Sequence, residues 1–139
     1  MSQSHTFTSY VKVRGQGRPR VDFTRRRTYK PDQDRTYEQK LKADYINSNG
    51  PHFGRAPLVM TIDVYRELPK SRPKRVEREV DTCKPDATNI AKAVEDALNG
   101  IAYYDDAQIV RAVCHKHERE RCREHLTVTI EEYEPRRQR

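Results

Sequence analysis

KPDATNIAKAVEDALNG, residues 84–100, decides how the rest of the chain is read. Ile90, Ala93, Val94, Ala97, Leu98 and then Ile101 recur at helical spacing, so they predict an amphipathic helix with one core-facing side. Gly100 suits its C-terminal end. At about 100° per residue, Asn89, Lys92 and Asp96 fall within about 60° of one another on the opposite side. Asp86 stands just before the first turn. It is either a helix-start residue or one half of a metal site completed elsewhere.

Working outward, YYDDAQI follows, with Asp105 and Asp106 at the expected start of a strand. Neighbours on a strand point to opposite faces, so one of these two acids is expected to reach the helix start. Two carboxylates with open water positions suit Mg²⁺. Such a site activates water and stabilises a leaving oxygen in phosphodiester cleavage. Lys92 is placed to neutralise developing charge. The bland alternative is that Asp86 is only an N-cap and the Asp pair only a turn.

AQIVRAVCHKH and CREHLTVTIEEY predict two strands joined as a hairpin by the polar turn ERER. Upstream, LVMTIDVYREL (58–68) predicts a strand with Val59, Thr61, Asp63 and Tyr65 on one face and Met60, Ile62 and Val64 on the other. From Asp32 a helix is expected, capped by Asp34, with Tyr37, Leu41 and Tyr45 as its apolar stripe and Ile46 at the edge. HTFTSYVKV (5–13) alternates as a strand. The order β-α-β-α-β-β predicts an α+β domain over residues 1–139, with a small mixed sheet and two main helices.

Two basic segments interrupt this order. Residues 14–31 read as a basic loop or loose hairpin, and residues 69–85, with three prolines, as a mobile basic loop. The tail, 135–139, is expected to fray. The chain has 139 residues, 34% hydrophobic and 35% charged, and a formal net charge of +7. That balance favours a polyanionic partner, nucleic acid first. Arg18, Arg20, Arg25, Arg26, Arg27 and Lys30, then Lys70, Arg72, Lys74 and Arg75, are the candidate phosphate contacts, and Arg14 heads the first cluster. Contacts of this kind hold backbone and shape and do not reveal a cleavage sequence. No apolar run approaches the ~20 residues that span a bilayer, and the N-terminus lacks a signal layout, so a soluble, intracellular protein is expected. Three cysteines in such a chain predict free thiols.

The signature KPDATNIAKAVEDALNGIAYYDDAQI resembles that of RusA-like Holliday-junction resolvases, a family often carried by phages and prophages. GRPR at residues 17–20, TYKP, YEQKLK and the last two strands extend the likeness over nearly the whole chain. The resemblance implies a homodimeric endonuclease that uses Mg²⁺ or Mn²⁺ and resolves four-way DNA junctions by paired nicks, in the cytoplasm of a bacterial or phage-infected cell. It assigns catalytic and metal-binding roles to Asp86 and Asp106, an essential lysine to Lys92 and the motif's asparagine to Asn89. Asp105 and Asp96 match recurrent acids. One position departs: Thr88 stands where the family has a second aspartate. A hydroxyl is a weaker metal ligand and a good helix cap, so Thr88 is expected to serve either the metal or the backbone. A binding module with little or no catalysis is the alternative function. A flap or fork nuclease of the same fold is a further one. Cys114-x-x-His117 and Cys122-x-x-His125 suggest zinc, but on a regular hairpin their two pairs face opposite sides of the sheet. No zinc is expected there.

Overall fold

The computed structural model describes residues 3–16, 20–22, 27–29 and 32–136, with backbone alone at 20–22 and 27–29. Its elements are β1 (Ser4–Ser9), β2 (Arg20–Asp22), β3 (Arg27–Tyr29), α1 (Asp32–Asn47), β4 (Leu58–Tyr65), β5 (Arg78–Glu79), α2 (Ala87–Leu98), β6 (Ile109–Lys116), β7 (Arg119–Glu120) and β8 (His125–Glu132). The class is α+β. Among the described residues the main sheet has the order β1-β8-β4-β6. β4 runs parallel to β6 and antiparallel to β8, so the sheet is mixed.

Strict alternation builds that sheet. Leu58, Met60, Ile62 and Val64 are fully buried, while Val59, Thr61, Asp63 and Tyr65 between them are half-exposed. Phe7, Leu126, Val128 and Ile130 join the same inner face. α1 contributes Tyr37, Leu41 and Tyr45 to the core, and α2 contributes Ile90, Ala91, Ala93, Val94, Ala97 and Leu98. Both helices thus cover one face of the sheet. The other face carries threonine ladders, with Thr6 bonded to Thr129 (2.9 Å) and Thr8 to Thr127 (3.1 Å). Gly100, at φ +89°, takes the left-handed conformation that ends α2.

Several expectations are corrected. The last two long strands do not form a hairpin, because β4 lies between β8 and β6. β4 is the most apolar strand, buried at every second residue, and the centre of the sheet is where that burial is available. ERER is not a bare turn: its Arg119–Glu120 forms β7 and pairs with β5. Ile46 is exposed. Asp34 does not cap α1; it lies inside the helix and pairs with Arg14 at 2.9 Å.

Residues 69–85 are fastened rather than loose. One terminal nitrogen of the Arg121 guanidinium donates to the carbonyls of Arg72, Pro73 and Val76. Asp81, buried, pairs with Arg66 at 3.2 Å and Lys116 at 3.7 Å. Arg66 also donates to the Lys84 carbonyl (3.1 Å), and Lys116 to that of Cys83 (2.6 Å). These bonds fix the chain immediately before Asp86.

Candidate functional site

The site is built around α2. Asp86 is its N-cap, with extended backbone (φ −78°, ψ 161°), and its Oδ1 accepts the Asn89 N–H at 2.9 Å. That bond, aided by Lys84 at 3.5 Å, holds the Asp86 carboxyl below its usual range. Oδ1 therefore serves the backbone, while Oδ2 lies 3.5 Å from Lys84, with the charge of Lys116 also acting on the carboxyl. Thr88 and Asn89 are exposed in the first turn. Thr88 is not the cap, since Asp86 fills that role.

Asp105 and Asp106 do not begin a strand. They form a single 3₁₀ turn, Asp106–Gln108, ahead of β6. Asp105 caps it in a reciprocal box: its carboxylate accepts the Ala107 N–H (3.1 Å), and the Gln108 side-chain oxygen accepts the Asp105 N–H (3.0 Å). The Gln108 amide also donates to the carbonyls of Gly54 (2.7 Å) and Ala56 (3.0 Å), which anchors the turn to the loop before β4. This turn, not strand alternation, aims Asp106 at the helix.

There Asp106 meets Lys92, Nζ to Oδ2 at 3.0 Å, across 14 residues of sequence. Lys92 also reaches Asp96 at 3.4 Å, one turn along α2. The Lys92 hydrogen bond holds the Asp106 carboxyl below its ordinary range against the opposing effect of partial burial, and the Asp105 and Asp96 side chains also lie within its reach. Asp106 in turn raises Lys92. Lys92, Asp96, Asp105 and Asp106 are thus brought together. Among the described residues Asp86 shares no hydrogen-bond or ion-pair partner with Asp106; its backbone lies about 9 Å along the helix from that of Lys92. A single directly bound Mg²⁺ would need their oxygens within roughly 4.2 Å, twice its bond length.

The Asp106 group fits a hard cation by its donor chemistry. Its carboxylate oxygens are hard donors and part-exposed, with Asp106 and Asp96 side chains 22% and 23% accessible. Among the described residues these acids do not close into a compact three-ligand set. A Mg²⁺ held here would keep several waters, as is usual for that ion.

Between α2 and β6 lies a cleft of about 390 Å³ lined by Thr88, Asn89, Lys92, Glu95, Ala112 and Cys114, among others. Glu95 is a residue that the sequence reading missed. Burial raises its carboxyl, and Asp106 and Asp96 add to the effect. Its signal was visible: Glu95 is seven residues after Thr88, so both lie on one stripe of the helix.

The basic residues divide. Arg18, Arg25, Arg26 and Lys30 lie outside the described residues, as do the side chains of Arg20 and Arg27. Lys70, Lys74 and Arg75 are exposed. Arg72 is engaged by Glu79 through two bonds, 2.9 and 3.1 Å. Arg14–Gln16 docks on α2: the Gln16 N–H donates to the Asn89 carbonyl at 3.0 Å. The Cys-x-x-His residues do not converge. Cys114 packs on the core side of β6, whereas His117 bonds Asp63 on the outer face and His125 stacks on Tyr65 there.

The family profile of endodeoxyribonuclease RusA matches residues 11–131. The chain is 32% identical over 114 residues to the uncharacterized protein YqaN of Bacillus subtilis (strain 168), which covers 75% of this chain and 80% of that protein.

Proposed function

This chain belongs to the RusA family of endodeoxyribonucleases, and we propose that it acts as a homodimer on four-way DNA junctions, nicking two strands in the presence of Mg²⁺ or Mn²⁺. The observation that carries this reading is the Lys92–Asp106 pair. It joins the middle of the signature helix to the Asp-Asp turn, the two parts of the motif to which this reading assigns the chemistry.

In this reading the backbone of a junction arm enters the cleft between α2 and β6. Lys92 lends its ammonium to the phosphate as negative charge builds there. Asp106, with Asp96 and Asp105 beside it, would hold the divalent ion, and Asp86 would present its Oδ2, 3.5 Å from Lys84, at the helix start. When bound, the ion supplies an activated water and stabilises the leaving oxygen. Lys70, Lys74 and Arg75 grip phosphates, so binding weakens as salt rises. Two copies related by a two-fold axis match the symmetry of the junction. No helix of the described residues is long and apolar enough to cross a membrane.

A second reading rests on Thr88, the residue in place of the family's second aspartate: a branched-DNA binder that cuts slowly or not at all. End-labelled four-way junction and matched linear duplex, incubated in Mg²⁺, in Mn²⁺ and in EDTA, separate the two. Paired nicks in the junction alone, abolished by EDTA and by Asp106→Asn while that variant still binds, support the nuclease. Salt-sensitive binding with no product in either metal overturns it. Thr88→Asp would then be expected to restore cleavage.

A further inference from the structure

We infer that Asp63, His115 and His117 form a second metal site, on the face of the sheet opposite α2, selective for a first-row transition ion such as Zn²⁺. β4 and β6 run parallel with Asp63 opposite His115. Residues two apart on a strand share a face, so His117 projects beside His115. The helices cover the inner face, which leaves all three donors together on the outer one.

The geometry is close to a ligand set. The donor atoms of the three residues all lie within 4.8 Å of one another. His117 Nε2 is 2.8 Å from Asp63 Oδ1. The imidazoles of His115 and His117 stand 3.8 Å apart at 28°. Zinc bonds to nitrogen and oxygen are about 2.0–2.2 Å, so a tetrahedral ion keeps its ligand atoms roughly 3.3 Å apart. Closing that difference would fall to the exposed His115 ring, and water would fill the fourth position.

Neighbours orient the ligands. Tyr65 stacks flat on His117 at 4.5 Å and 4°, and His125 stacks on Tyr65 at 4.7 Å. The His117 backbone N–H donates to the Val64 carbonyl at 3.0 Å, which holds the main chain just past β6 against β4. An ion pair with Asp63 would need His117 alone. It does not account for His115, which brings a second imidazole nitrogen into the same space. Two imidazoles and one carboxylate favour Zn²⁺, Co²⁺ or Ni²⁺ over Mg²⁺, whereas the Asp106 group offers oxygen alone. In the main sheet β6 is an edge strand held by β4, so an ion shared by the two would clip that edge.

The test is direct metal titration of tag-free, full-length protein with Zn²⁺ by calorimetry and with Co²⁺ by visible absorption. We expect one equivalent per chain, undisturbed by a roughly hundredfold excess of Mg²⁺. His115→Ala, His117→Ala and Asp63→Asn, each shown folded by circular dichroism, should weaken it about tenfold or more. His52→Ala, away from the site, should not. Three results would overturn the inference: no saturable binding, binding that survives the His115→Ala/His117→Ala double variant, or a thiolate charge-transfer band that moves the ion to cysteine. None of these depends on whether the protein cuts DNA.

Discussion

Asp81→Ala should cost about 3 kcal/mol of stability, although the residue touches neither the cleft nor Lys92. The side chain of Asp81 is wholly inaccessible, and those of Arg66 and Lys116 are only 13% and 12% exposed. Removing the carboxylate strands two cations that water reaches poorly. Breaking a buried pair in this way costs about 3–5 kcal/mol. The lower end applies because both cations keep a carbonyl, Lys84 for Arg66 and Cys83 for Lys116. For a domain of this size each kcal/mol moves the midpoint by roughly 3–5 °C, so Tm should fall by about 9–15 °C. Urea unfolding followed by circular dichroism gives the free energy, with an unchanged slope if the unfolded state is unaffected. A double-mutant cycle with Arg66→Ala should return a coupling of about 1–3 kcal/mol. A loss below about 1 kcal/mol would show the network to be solvated. Residues 69–85 would then not be held as the structure has them, nor would the approach to Asp86.

Three other outcomes follow from the same contacts. The stability gap between the wild type and Lys92→Met should be flat at mid-range pH and close at both ends. Asp106 is depressed below 3.8, so its contribution is present above that value and lost as pH falls through the lower folded value; Lys92 is raised above 10.5, so its contribution holds below that value and is lost as pH rises further. Urea titrations across pH check this, and a gap that widens on acidification would contradict the ion pair. Gly15→Ala places a Cβ 2.9 Å from that of Pro85 and 3.0 Å from that of Asn89, atoms that cannot swing aside. It should destabilise by about 1–3 kcal/mol, and wild-type stability in urea would mean that the 14–16 segment does not dock on α2. Burial pushes the Cys114 thiol up to about 11, while Cys83 is exposed. Iodoacetamide at pH 8 should label Cys83 first, as read by mass spectrometry, and early labelling of Cys114 would place it outside the core.

Much of the fold was legible because it is local. Met60, Ile62 and Val64 alternate with half-exposed partners, and Ile90, Val94, Ala97 and Leu98 repeat at helical spacing. What sequence could not give is strand order. The β4–β6 and β4–β8 pairings depend on which strand is apolar enough to sit between two others, which is a property of the whole sheet. Asp34 was misread because its partner, Arg14, is 20 residues away. The segment 69–85 has the composition of a loose loop, and nothing local announces that Arg121, about 50 residues on, binds its carbonyls. The 3₁₀ turn was visible and overlooked: Asp105 and Gln108 have the spacing of a capping box. His115-x-His117 was equally visible, but its third donor, Asp63, comes from another strand.

Thr88 draws the two kinds of information together. In sequence it is a missing carboxylate that could have been kept as a helix cap. In the structure Asp86 caps the helix with Oδ1, so the Thr88 hydroxyl is not required by the backbone. It lines the cleft one turn before Lys92, on the stripe that continues to Glu95. An aspartate at 88 would add a third anion beside a lysine already shared by Asp96 and Asp106. Without it, Lys92 faces fewer competing carboxylates, and in the proposed function it would be freer to meet a phosphate, while a divalent ion would have one hard ligand less. In the proposed function the threonine would therefore act in opposite directions on the grip on DNA and on the hold on the ion. It would favour the first through charge and weaken the second, so binding and cutting should separate more in this chain than in its Thr88→Asp variant.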